Sequence, residues 1–322
     1  MKRTALRWLV RGAVAAAAVA LLIRKLDWRE VRMAVARIEA LPVLGLLGLS
    51  YALIWTSCRK WRLFLRARGQ AVPMGSLLRL YVVGYFFNTF LPGNVGGDVV
   101  RSYSLGRSLN NQADAFGTVF LERFTGFIAL IGLGVAAGLA RPALRGTPYL
   151  GAFLAAMAAL FAGMVAVLVF APLQRFAMRI LERFPEQGVP KKLKRFLQVV
   201  FHFRDRPDIL GRAMLWSVAF HALTIVNVQV ACRAFGETPR LLDLAAAVPM
   251  VLLVSSVPVS LAALGILEGA YVFFLSRIGV PAPAAMAVAL LLRAKTLLLA
   301  LLGGLLFAVR REPETAGPAP SA

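Results

Sequence analysis

The 322-residue sequence is poor in the residues that build soluble catalytic or metal centres. It has two cysteines, Cys58 and Cys232, and two histidines, His202 and His221. Neither pair has the spacing of a metal site, and ligand clusters need three or four donors. Cofactor binding is therefore not expected. Charged residues make up only 16% of the chain, against about a quarter in soluble globular proteins. Acids are scarcer still: 15 Asp and Glu against 37 Lys and Arg, a net charge of +22. The longest hydrophilic stretch, 172–212, is too short for a soluble catalytic domain. Walker loops, Ser/His/Asp sets and repeated aspartate motifs of metal-dependent transferases are also missing.

What is abundant is apolar sequence, 59% of residues, with a mean hydropathy of +0.73. Several runs approach the roughly 20 residues that a hydrocarbon core demands of a helix. The basic residues fall in short clusters between these runs, the pattern of loops facing anionic lipid rather than nucleic acid. The expected fold is an all-α polytopic transmembrane helical bundle with about six full spans. These are 8–23, 41–57, 117–140, 149–171, 213–234 and 285–309. The first reads as an uncleaved span, although Ala18-Val19-Ala20 imitates a signal cleavage site.

Two apolar regions are broken by Pro and Gly. Residues 80–105 are interrupted at Pro92-Gly93-Asn94-Val95-Gly96-Gly97-Asp98, and 244–279 contain Pro249, Pro258, Gly265 and Gly269. Non-helical backbone at membrane depth survives only inside protein or beside a wet cavity. Both regions are therefore read as re-entrant hairpins. Their matching places in two halves, 1–140 and 149–309, suggest an inverted repeat, the sequence pointer to a transporter's binding site. The whole of 1–311 reads as one transmembrane domain, followed by a disordered Pro/Ala-rich tail, 312–322. Within 172–212, Leu193, Phe196, Leu197, Val200 and Phe201 lie on one helical face and Lys191, Lys192, Lys194 and Arg195 on the other. Such a helix either lies on an anionic leaflet or covers the bundle's end. With both termini cytoplasmic, more than twice as many Lys and Arg face inward as outward.

The hairpins and their neighbours supply the candidate site. A helix restarting at Asp98 would offer its amides to a lipid phosphate, with Gly96 and Gly97 allowing close approach and Asn94 donating a further hydrogen bond. Arg101, one turn on, would pair with that phosphate or with Asp98. Equally, Asp98 would serve as a plain helix cap. Glu122 and Arg123 point in different directions from one helix, so each needs its own partner, and Asp98 is the natural one for Arg123. Both would otherwise snorkel to the interface. In the second hairpin Ser260 precedes Glu268, whose candidate partners are Arg293 and Lys295. That pair would be functional or purely structural. Asn227 and Gln229 read as interhelical hydrogen bonders.

Three stretches together resemble the lysylphosphatidylglycerol synthase transmembrane family. They are Phe87-Asn88-Thr89-Phe90-Leu91-Pro92-Gly93-Asn94-Val95-Gly96-Gly97-Asp98, then Glu122-Arg123-Phe124-Thr125-Gly126, then Val257-Pro258-Val259-Ser260 with Gly265 and Glu268-Gly269. The likeness spans about 40–310. It implies a bacterial inner-membrane protein with a flippase-like fold that moves a phosphate-bearing polar lipid between leaflets. The candidate substrate-binding residues are Asn88, Pro92, Asn94, Gly96, Gly97, Asp98, Arg101, Glu122, Arg123, Ser260, Glu268 and Arg293. Implied partners are membrane lipids and a lipid-biosynthesis enzyme. In full-length relatives a separate soluble domain makes the aminoacylated lipid; this sequence shows no stretch suited to it, so synthase activity is not carried over. The family's third motif usually reads Gly-Gly-x-Gly-x-Arg-Glu, whereas here Leu267 precedes Glu268. The contact of that arginine is not carried over either. An intramembrane lipid transferase, using Asp98 or Glu268 as base, and a non-catalytic scaffold are the alternatives.

Overall fold

The computed structural model describes residues 40–89, 96–140, 148–184, 188–255 and 266–309. Among them there are helices and turns and no strands. In chain order the helices are α1 (Ala40–Ala67), α2 (Met74–Asn88), α3 (Gly96–Ser108), α4 (Gln112–Ala140), α5 (Pro148–Val169) and α6 (Ala171–Glu182). They continue with α7 (Gly188–His202), α8 (Pro207–Arg233), α9 (Leu241–Ser255), α10 (Ile266–Arg277) and α11 (Ala282–Ala308). The chain is an all-α polytopic bundle.

Helices α1, α4, α8 and α11 are each long and apolar enough to cross a membrane. A fifth crossing is reached if α5 and α6, which meet at 72°, count as one span. The described residues thus give four or five crossings where the sequence suggested about six; the run at 8–23 lies outside them. The α5–α6 bend has a local cause. Gln174 Nε2 donates to the carbonyls of Val167 (2.9 Å) and Leu168 (3.0 Å), capping α5, and Pro172 starts the next helix. Helix α1 also runs past the expected end at Ser57 to Ala67, because its last turns keep a buried face through Lys60, Trp61, Phe64 and Leu65.

The broken regions form two pairs of short helices, α2–α3 and α9–α10, each member too short to span. Lengths recur along the chain. Helices α1 to α4 hold 28, 15, 13 and 29 residues; α8 to α11 hold 27, 15, 12 and 27. Packing recurs as well. Helix α2 lies on α3, α11 and α1, just as α9 lies on α10, α4 and α8; α3 lies on α4 as α10 lies on α11. Helices α1 and α8 run antiparallel: Trp55 meets Trp216 near the start of α8, while Gly45 faces Val230 near its end. The matching units begin at Ala40 and Pro207, so α5–α7 stand between them rather than inside the second half.

Close helix approach is set by glycine. A Cβ on Gly97 would collide with the Gly84 carbonyl, and one on Gly303 with that of Val82. These contacts bring α3 onto α2, and α2 onto α11. The two ends of the bundle differ in charge. Arg59, Arg62, Arg66, Arg68, Arg79, Arg107 and the bases of α6 and α7 gather at one end, whereas Arg233, Arg240 and Arg277 sit at the other.

Gly97→Ala and Gly303→Ala should each destabilise the protein by about 1–3 kcal/mol, as overpacked sites do. Gly48→Ala and Gly163→Ala, where an added Cβ meets nothing within 4 Å, should not. Thermal unfolding in detergent, followed by circular dichroism, measures the difference.

Candidate functional site

The hairpin α2–α3 delivers its polar residues to the middle of the bundle. Asn88, at the end of α2, accepts the Gly97 N–H at 2.7 Å and so closes the first turn of α3 across the chain break. Asn88 is thus a cap, and the Gly97 amide is already engaged, which differs from the expectation that it serves a ligand. Gly96 and Gly97 are buried against α2. Asp98 follows in the first turn, where the partial positive charge of the helix end favours a carboxylate. Pro92, Asn94 and Ser260 lie outside the described residues.

Asp98 holds two arginines. Arg123 grips it bidentately, Nε to Oδ2 at 2.8 Å and Nη2 to Oδ1 at 3.0 Å, as the sequence suggested. Arg101 donates to Asp98 Oδ1 at 3.0 Å and reaches Glu122 Oε2 at 2.7 Å. Glu122 also meets Lys60 Nζ at 3.4 Å and lies 3.4 Å from the Tyr81 hydroxyl. Lys60 donates in turn to Ser217 Oγ at 3.0 Å. Five ionisable side chains from α1, α3 and α4 therefore form one chain of contacts, anchored to α8.

Burial makes this chain consequential. The Lys60, Arg101 and Glu122 side chains are 4%, 1% and 3% exposed, whereas that of Arg123 is 40% exposed. The cluster is closed at Lys60 and open at Arg123. The Arg101 guanidinium lies between two aromatic faces, 4.3 Å from the Tyr81 ring centre and 4.9 Å from that of Trp61. Trp61 is fixed by its indole N–H on Thr118 Oγ1 at 3.2 Å. Even so, Arg101 Nη1 is buried with no hydrogen-bond partner among the described residues. Three cations face two carboxylates, an excess of one positive charge at depth. A guanidinium pair with unspent donors suits an oxyanion such as phosphate. No group of three or more metal-ligating side chains occurs among the described residues.

The second hairpin repeats part of this arrangement. Glu268, in the first turn of α10, takes the Arg293 side chain from α11. Asp98 and Arg123 stand 25 residues apart, and so do Glu268 and Arg293. Each acid is the third residue of its short helix. Lys295, the other partner considered for Glu268, instead donates to Asn227 Oδ1 of α8 at 2.8 Å. Of the residues named from sequence, Asp98, Arg101, Glu122 and Arg123 thus form one cluster, and Glu268 and Arg293 a second.

Lys60, Trp61 and Tyr81 are not among the site residues that the sequence suggests. Lys60 follows the expected span end at Ser57, amid Arg59, Arg62, Arg66 and Arg68, where a lysine reads as one of a basic cluster. The missed signal is the spacing Ser57, Lys60, Trp61, Phe64, which puts a lysine on the buried stripe of a helix. His221 Nε2, facing the Gly126 carbonyl at 2.9 Å, must carry the proton of that bond, so it is a structural donor between α8 and α4.

Removing one member of the buried chain strands its partner. Lys60→Met and Glu122→Gln should each cost about 3–5 kcal/mol, while the double variant should cost less than their sum. A double-mutant cycle on unfolding in detergent measures this coupling.

No curated protein matches the chain. A family model described as the lysylphosphatidylglycerol synthase TM region matches residues 8–304, a stretch that contains both hairpins and every helix up to the last turn of α11. The chain therefore belongs to the lysylphosphatidylglycerol synthase transmembrane family.

Proposed function

We propose that this membrane protein is a lipid translocase that takes a phosphate-bearing headgroup at Arg101 and Arg123 and passes it between leaflets. One observation carries the reading: among the described residues the buried cluster has one more cation than carboxylates and an Arg101 guanidinium nitrogen with no partner, and it is open on the Arg123 side. Leaving a donor unpaired there is costly, and an anion relieves it. Family membership supports a lipid-related role for such a site.

In this mechanism Asp98 is a clasp. It holds Arg123 bidentately, and an arriving phosphate competes for the same guanidinium. Acyl chains stay in the bilayer while the headgroup occupies the polar pocket. Glu268–Arg293 is the equivalent clasp of the second hairpin and serves the opposite leaflet. The headgroup route runs past Asp98, Arg101, Arg123, Glu268 and Arg293, and the two antiparallel units rock about the α1–α8 contact. The basic end of the bundle faces the cytoplasm of a bacterial inner membrane. A lipid-making enzyme of the same membrane supplies the cargo.

The two arginine-linked residues separate binding from movement. Arg123→Ala should lose both co-purified anionic lipid and lipid movement in proteoliposomes. Asp98→Ala should keep or gain bound lipid yet lose movement, since nothing then competes the phosphate off. Native mass spectrometry reads the first quantity and a fluorescent-lipid scrambling assay the second. Wild-type movement in both folded variants would remove the proposed site.

A further inference from the structure

A second concavity lies apart from the Asp98–Arg123 cluster, at the basic end of the bundle. It is a cleft of about 1050 Å³ between α7 and the turn joining α3 to α4. Its floor is set where the end of α7 meets α4. Val199 of α7 fills the space over Gly117 of α4, where a Cβ would strike it. Phe196 meets Phe120 edge-on at 5.3 Å. Toward its start, from Phe196 back to Lys192, α7 stands off from α4, and the cleft opens between them.

The lining is amphipathic. Tyr103, Phe116, Leu193 and Phe196 give an apolar wall; Lys192 and Arg195 stand on the α7 side. The polar groups opposite are already engaged. Asp114 accepts from Arg68 at 2.9 Å, from Asn111 at 2.9 Å and from Gln70 at 3.3 Å. Its charge is spent on Arg68. Lys192 and Arg195 are exposed and meet no carboxylate among the described residues. The uncommitted charge of the cleft is therefore positive.

The cleft also sits at a membrane surface. Helix α6 turns off the long apolar α5 at 72° and leaves Leu173, Phe176 and Ile180 exposed, and Leu193 of α7 is exposed as well. Apolar side chains at the end of a crossing helix, beside lysines and arginines, belong at the headgroup boundary. A soluble anion would use the cations but not the apolar wall.

We infer that this cleft holds one anionic phospholipid of the adjoining leaflet, its phosphate on Lys192 and Arg195 and an acyl chain along Phe116 and Phe196. It is an accessory lipid site, independent of the translocation reading. Occupied, it would fasten the first turns of α7 to the α3–α4 turn, and α3 carries Asp98 and Arg101.

The test uses the full chain in nanodiscs. Both native cysteines are buried, so Lys191→Cys, just outside the cleft on α7, takes a bimane label selectively. Quenching is measured with phosphatidylglycerol or phosphatidylcholine carrying a nitroxide headgroup. Two surface cations predict saturable quenching by phosphatidylglycerol at a mole fraction about tenfold lower than for phosphatidylcholine. Lys192→Glu with Arg195→Glu should abolish that preference. Gln112→Trp, which fills the cleft and leaves its charge unchanged, should abolish it too. Equal quenching by the two lipids would overturn the proposal. So would a preference that survives Gln112→Trp in folded protein, since it would reflect only diffuse attraction to a basic surface. A preference that appears only after deletion of residues 312–322 would make the tail, with Glu312 and Glu314, the native occupant and equally overturn it.

Discussion

The constraint on which the rest of the structure depends is the neutralisation of charge inside a low-dielectric bundle. An isolated ion at such depth is costly, and pairing recovers the loss only when geometry is good and the remaining donors are satisfied. Glu122 meets this demand by drawing Lys60 from α1 and Arg101 from α3 to α4. Asp98 does the same for Arg123. Three helices that share mostly apolar surface with lipid and with one another are thereby held in one relative position. The hydrophobic effect alone would not choose that position, because lipid tails are as apolar as leucine.

Such a cluster needs a helix that begins inside the bundle. Helix α3 is one: its first turn brings Asp98 and Arg101 to face α4. Glycine at 84 and 97 lets the returning helix lie against the outgoing one, so the hairpin is narrow enough to fit inside the bundle. The second hairpin solves the same problem in the opposite sense, with Glu268 and Arg293. The two acid–arginine pairs thus share one spacing and sit in units of matching helix lengths. The remainder of the polar chemistry differs. Lys60 and Glu122 in the first unit give way to Asn227 and Lys295 in the second, so the deep cluster belongs to one unit alone.

Around this core the peripheral helices follow different rules. Helices α6 and α7 carry their charge on exposed faces beside exposed apolar side chains. Lys60, Arg101 and Glu122 are buried instead, and Arg123 is partly exposed. Salt screens the exposed charges far more than the buried ones.

The sequence by itself determined the helical class, most of the crossings and the two breaks, because run length and the Pro/Gly interruptions state their physical demands locally. It also determined the Asp98–Arg123 partnership. Two adjacent charges, Glu122 and Arg123, must diverge on a helix, and few acids were available to meet the arginine. The tertiary structure alone decided which residue served Glu122. Lys60 looked like one of a run of interface bases, and only the packing of α1 against α4 and α8 turns it inward. Nor could Trp61 and Tyr81 be read as the walls around Arg101, since they come from two different helices. It decided as well that Asn88 closes α3 and that Gln174 bends α5. Local pattern fixes what each segment can be, whereas the partner of a buried charge is whichever side chain the fold brings within reach. That choice depends on contacts between residues far apart in the chain.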